Sequence, residues 1–70
     1  MKEGVLYFDK PTGRYDVAFH DGSYYGGLHC GNTFEILDNG AWTPTRIEHS
    51  RGWYLAGHSN LQLDGLKVRM

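Results

Sequence analysis

Arg14-Tyr15-Asp16-Val17-Ala18-Phe19-His20, followed at once by Asp21-Gly22, is the stretch on which the fold turns. Successive side chains of an extended chain point to opposite faces. Tyr15, Val17 and Phe19 therefore fall on one side, and Arg14, Asp16 and His20 on the other. Such alternation marks a half-buried strand, with the odd-numbered residues expected to face a core. Asp21-Gly22 then reads as a two-residue hairpin turn.

Similar short runs lie on both sides. Gly4 to Phe8 is apolar and ends in Asp9-Lys10-Pro11-Thr12-Gly13, whose proline and glycine favour a turn. Ser23-Tyr24-Tyr25 is expected as a short return strand, broken by Gly26-Gly27, and Leu28-His29-Cys30-Gly31 as an irregular segment. Thr33 to Leu37 places Phe34 and Ile36 on one face, and Asp38-Asn39-Gly40 suits a type I′ turn. Ala41 to Glu48 returns. Pro44 within it has no N–H for a ladder, so the strand is expected to be an edge there or to bulge. His49 to Gly52 is a turn and Trp53 to Gly57 a strand. His58 to Asp64 fits a loop with a single 3₁₀ turn, and Leu66 to Met70 alternates as a last strand.

No helical apolar period runs through the chain, and ten glycines punctuate it. The expectation is an all-β single domain over residues 1–70: a small SH3-like barrel of five to six short antiparallel strands. A two-sheet sandwich would have too little core at this length, whereas closing the sheet removes exposed edges. The expected core is Val17, Phe19, Phe34, Ile36, Leu55 and Val68, with either Val5 and Tyr7 or Leu6 and Phe8 from the first strand. The final strand is expected to return to the first, with Lys67 and Arg69 facing water.

Composition narrows the function classes. The 70 residues carry a net charge of −1, with ten aromatic side chains among Phe, Trp and Tyr. Residues 1–40 hold three basic and six acidic groups; residues 41–70 hold four basic and two acidic. The overall balance argues against strong non-specific nucleic-acid binding, which depends on neutralising phosphates. No apolar run is long enough for a signal-peptide core or a membrane span. The lone Cys30 fits a reducing compartment, and a cytoplasmic, non-membrane location is expected.

A resemblance runs over nearly the whole chain. It rests on Gly13-Arg14-Tyr15-Asp16, Asp21 to Gly31, Gly40 to Glu48 and Trp53-Tyr54-Leu55-Ala56-Gly57. This pattern resembles a family of small uncharacterised proteins from Gram-positive bacteria and their plasmids and other mobile elements. That family is a domain of unknown function, so the resemblance implies a habitat and transfers no functional residues.

Chemistry-bearing clusters are sparse. His29 and Cys30 are adjacent and would point to opposite faces of an extended chain, a poor arrangement for a thiol and its base. A small thiol packing as a hydrophobe explains Cys30 as well. Cys30 and the four histidines lack the pairwise spacing of a structural zinc motif. Asp9, Asp21, Asp38 and Asp64 lie in turn sequences, where aspartate needs no further explanation. The glycines around Gly26 are followed by no P-loop lysine. No catalytic residue, cofactor or metal is therefore expected, and the chain reads as a non-enzyme.

The aromatic surplus is the strongest functional signal. Tyr24-Tyr25 and Trp53-Tyr54 are neighbours, so one member of each pair must leave the core side. Tyr24, Tyr25, Trp42 and Tyr54 form the candidate interaction face, for another protein or peptide. Partial exposure over a thin core is the plainer account of the same residues. Arg46, Arg51, Lys67 and Arg69 form a candidate basic face. They support the alternative of a nucleic-acid-binding accessory protein of a mobile element, in which basic groups beside aromatics hold a strand. The oligomeric state is left open by the sequence.

Overall fold

The computed structural model describes residues 1–70 and contains six strands and no helix. They are β1 (Glu3–Asp9), β2 (Arg14–Phe19), β3 (Thr33–Asp38), β4 (Ala41–His49), β5 (Trp53–Leu55) and β6 (Lys67–Arg69). All pairings are antiparallel, in one sheet of order β2-β1-β6-β3-β4-β5. No helix is long and apolar enough to cross a membrane.

The order assigns a particular task to β6. The β1–β2 hairpin and the β3–β4–β5 meander touch within the sheet only through these three residues. Gly4 pairs with Val68 on one side, and Ile36 pairs with Val68 on the other. Beyond β6 the strand-like contact continues, since the Leu6 amide donates to the Leu66 carbonyl at 3.0 Å and the Gly65 amide to the Leu6 carbonyl at 2.8 Å. Val68 is fully buried, with Leu66 and Met70 packed against the core beside it.

The connection from β2 to β3 ties the two halves together a second time. The Tyr25 and Leu28 amides donate to the Val17 and Tyr15 carbonyls at 3.0 and 2.8 Å, so this segment runs along the outer edge of β2. It then crosses to β4, where the Gly31 amide donates to Ile47 and the Ile47 amide to Asn32. The Trp53 indole N–H also reaches the Gly13 carbonyl at 3.0 Å, linking β5 to the β1–β2 turn. This curled arrangement is compatible with a small barrel.

Nine apolar residues form the core: Leu6, Val17, Leu28, Phe34, Ile36, Ile47, Leu55, Leu63 and Val68. On β1 the inward register is that of Leu6; Phe8 sits at the rim, 39% exposed, with its ring edge-on to Tyr15. Phe19 departs from expectation. It lies at the end of β2, half-buried against the core, with the Lys2 ammonium 4.9 Å from its ring centroid. Leu28 and Leu63 come from segments without strand character and are nevertheless buried, because both connections fold back over the open sides of the sheet. The Ser23–Tyr25 return strand reduces to a single bridge, Ala18 to Tyr24.

Two local sequence signals have clear physical outcomes. Asn39 and Gly40 both take positive φ, 51° and 79°, as a type I′ turn requires. The Arg46 carbonyl faces β5, where it accepts from Ala56, so Pro44, two residues earlier, turns its nitrogen to the same side. β5 pairs only with Ile47 to His49, which leaves Pro44 at an open edge. A proline there removes a donor from the edge and blunts strand addition.

Asp16 keeps the alternation and is buried all the same. It points to the outer face, yet it is only 6% exposed. Its Oδ1 accepts the amides of Val17, Gly26 and Gly27 at 2.8, 2.9 and 2.9 Å, and its Oδ2 accepts the Tyr7 hydroxyl at 3.3 Å.

Two outcomes are expected for stability. A chain ending at Gly65 loses Val68, Leu66, Met70 and the strand joining the two halves. At about 1.5–3 kcal/mol per buried aliphatic side chain, this approaches the domain's whole stability, and circular dichroism should show no cooperative melt. A cooperative transition near the full-length temperature would show that β6 is dispensable. Asp16→Ala should lower the free energy of urea unfolding by about 2–4 kcal/mol, and Asp16→Asn by less, because the amide oxygen can still accept. A loss below about 0.5 kcal/mol for the alanine variant would contradict the structural role of the carboxylate.

Candidate functional site: an exposed tyrosine surface beside a buried carboxylate

The site is built on the outer edge of β2. Tyr25, Gly26, Gly27 and Leu28 present four consecutive amides to that edge. The first and last bond to backbone carbonyls, and the middle two to the Asp16 carboxylate. Gly26 and Gly27 have φ values of 108° and 100°, which L side chains rarely adopt, and these turn both amides inward. The chain just before them is thereby held with its side chains outward. Tyr24 is 64% and Tyr25 43% exposed.

Tyr7, on the outer face of β1, completes the surface. Its ring meets Tyr24 edge to face, with centroids 5.9 Å apart. Burial raises the Tyr7 pKa above its ordinary value; the Asp16 charge and hydrogen bond, then Asp9 and Tyr24, push the same way. The phenol therefore stays a neutral donor to Asp16 throughout the physiological range. Nearby, Asp21 is held down at about 2, first by its bond from the Ser23 hydroxyl, then by the Ser23 amide, with Lys2 a lesser contributor.

The four aromatics singled out in the sequence come from three elements. Tyr24 and Tyr25 share the β2-edge loop. Trp42 is on β4 and Tyr54 on β5; in the ladder order β6 and β3 lie between these strands and the β1–β2 hairpin, while Trp53 brings β5 back to the turn at Gly13. Trp42 carries the Arg69 guanidinium 4.5 Å over its ring, and Tyr54 is half-buried opposite Glu48.

The basic residues lie on β4, in the β4–β5 turn and on β6. Arg46 pairs with Glu48 at 2.7 Å and Arg69 with Glu35 at 2.6 Å, which compensates two of the four charges. Arg51 is exposed in the β4–β5 turn, and Lys67 on β6 faces water opposite Val5. Cys30 is exposed and borders a shallow depression with Arg14, His49 and Trp53. The His49 ring is edge-on to Trp53 at 4.7 Å. No three His, Cys, Asp or Glu side chains gather closely enough to hold a metal ion.

Tyr7 and Asp16 are the two members of this surface that alternation alone did not select. An available signal for Asp16 was its type, since aspartate is disfavoured in strands. A mid-strand aspartate followed by a Gly-Gly pair invites a carboxylate-to-amide reading.

Comparison with known proteins gives a family and no function. The model of a domain of unknown function, DUF5348, matches residues 4–70. A crystal structure of a protein from Ruminococcus gnavus, determined in a structural-genomics programme, is similar at 51% identity and a TM-score of 0.90. The similarity covers 99% of this chain and 100% of that one. Among curated proteins, none matches. With the family model spanning almost the entire sheet, the chain belongs to the DUF5348 family of domains of unknown function.

Proposed function

We propose that this domain is a non-enzymatic protein-interaction module that binds another protein or peptide through the surface of Tyr24, Tyr25 and Tyr7. One observation carries the reading: two adjacent tyrosines stand in solvent on a loop that Asp16 fixes to β2. Tyrosine offers a large amphipathic contact area at low entropic cost, and a pre-organised loop reduces the ordering penalty of binding. Trp42 belongs outside the face, since Arg69 already covers its ring. The curled six-stranded sheet supports assignment as an SH3-like barrel, and the exposed unpaired Cys30 supports a reducing, cytoplasmic setting.

The test compares three baits in lysate of the source organism: wild type, Tyr24→Ala/Tyr25→Ala and Trp42→Ala. Each bait is first shown to be folded by its melting curve. A protein partner retained by wild type and Trp42→Ala, resistant to nuclease and lost from the tyrosine variant is the expected result. Equal capture by all three baits would contradict this face. A partner released by nuclease would favour nucleic-acid binding instead.

A further inference from the structure

We infer that the Tyr7–Tyr24 surface receives a cationic side chain, arginine or lysine, from a basic segment of a protein partner. The inference deepens the interaction reading above and rests on it. It comes from comparing three of the places at the molecular surface where aromatic rings and carboxylates stand together.

Two of those places are filled by the chain's own cations. The Lys2 ammonium lies 4.9 Å from the Phe19 centroid while pairing with Asp21 at 3.3 Å. The Arg69 guanidinium lies 4.5 Å from the Trp42 centroid while pairing with Glu35 at 2.6 Å. In each, the cation takes the negative face of a ring and a carboxylate together, a combination stronger than either contact alone at an exposed site.

The third place has the same ingredients with no lysine or arginine of the chain over its rings. Tyr7 and Tyr24 meet edge to face, with Asp16 below and Asp9 two residues along the same face of β1. Two carboxylates, Asp16 and Asp9, thus stand on the same side of the Tyr7 ring; after burial, their charges add to the rise in its pKa. Asp16 spends its oxygens on Tyr7 and three backbone amides. Asp9 spends Oδ2 on the Thr12 hydroxyl, leaving Oδ1 for a ligand. Arg14 is opposite Asp9 in the β1–β2 register, yet its guanidinium turns to the Leu28 carbonyl at 3.4 Å. A partner's cation would therefore complete the arrangement that Lys2 and Arg69 complete elsewhere.

The probe is the peptide acetyl-Gly-Arg-Gly-Arg-Gly-amide, with the citrulline peptide as its neutral isostere. Both are titrated at millimolar concentration into the full chain, followed by aromatic and amide NMR. The expected result is a saturable shift centred on the Tyr7 and Tyr24 rings with the arginine peptide alone, weakening as salt rises. Asp9→Asn, which keeps an acceptor for Thr12, should weaken binding about threefold, and Tyr24→Leu should abolish it. No saturable shift, an equal response to citrulline, or a response centred on Trp53 and His49 would each overturn the inference. If tyrosine-dependent capture from lysate persists while the arginine peptide gives no shift, the interaction face stands and its cationic specificity fails. If both are absent, both fall.

Discussion

One carboxylate organises the part of this molecule that faces outward. Asp16 sits within β2 on the side away from the core, and its Oδ1 gathers the amides of Val17, Gly26 and Gly27. Edge strands normally leave a row of unpaired backbone groups. Here the following loop pairs with that edge at Tyr25 and Leu28, and the Asp16 side chain serves as acceptor across the interruption. A buried carboxylate without such partners would be costly, because it has left water. With them, it fixes a segment of chain that has no regular ladder of its own. Leu28 consequently reaches the core, and Tyr24 and Tyr25 remain outside.

The loop and β6 are complementary solutions to one difficulty. A 70-residue domain divided into a hairpin and a three-stranded meander has little area with which to join its parts. The short β6 joins them through the sheet, and the β2–β3 connection joins them around the side. Arg69 reinforces the first junction from the outer face, where it bonds Glu35 on β3 and stacks on Trp42 of β4. The residue expected merely to face water thus spans three strands. Exposed charge and aromatic groups here are partly structural.

The strands were legible because their signals are local. Alternation in Arg14 to Phe19, the Asn39-Gly40 turn and the position of Pro44 each depend on a few neighbouring residues. Val17, Phe34, Ile36, Leu55 and Val68 are all buried as their spacing implies. Leu28 and Leu63 were not legible, since irregular backbone carries no period and their burial depends on where the loops return. Asp16 lies on the face that alternation gives it, and its burial there was not legible for a related reason. Alternation gives the face a residue points to, but not what later folds over that face. Tyr24 and Tyr25 could be selected as surplus aromatics, whereas their companion Tyr7 depends on the β1–β2 register.

The functional account depends on the tyrosine loop being held firmly, since a surface organised before binding avoids much of the ordering cost. The most direct measurement is hydrogen exchange at the Gly26 and Gly27 amides, resolved by NMR in the unmodified protein. Both amides belong to exposed or half-exposed glycines, so solvent access alone would let them exchange rapidly. If Asp16 holds them as described, both are protected to a degree comparable with the Tyr25 and Leu28 amides that flank them. Exchange at the rate of an unstructured chain at Gly26 and Gly27, with Tyr25 and Leu28 still protected, would contradict the role given to the carboxylate.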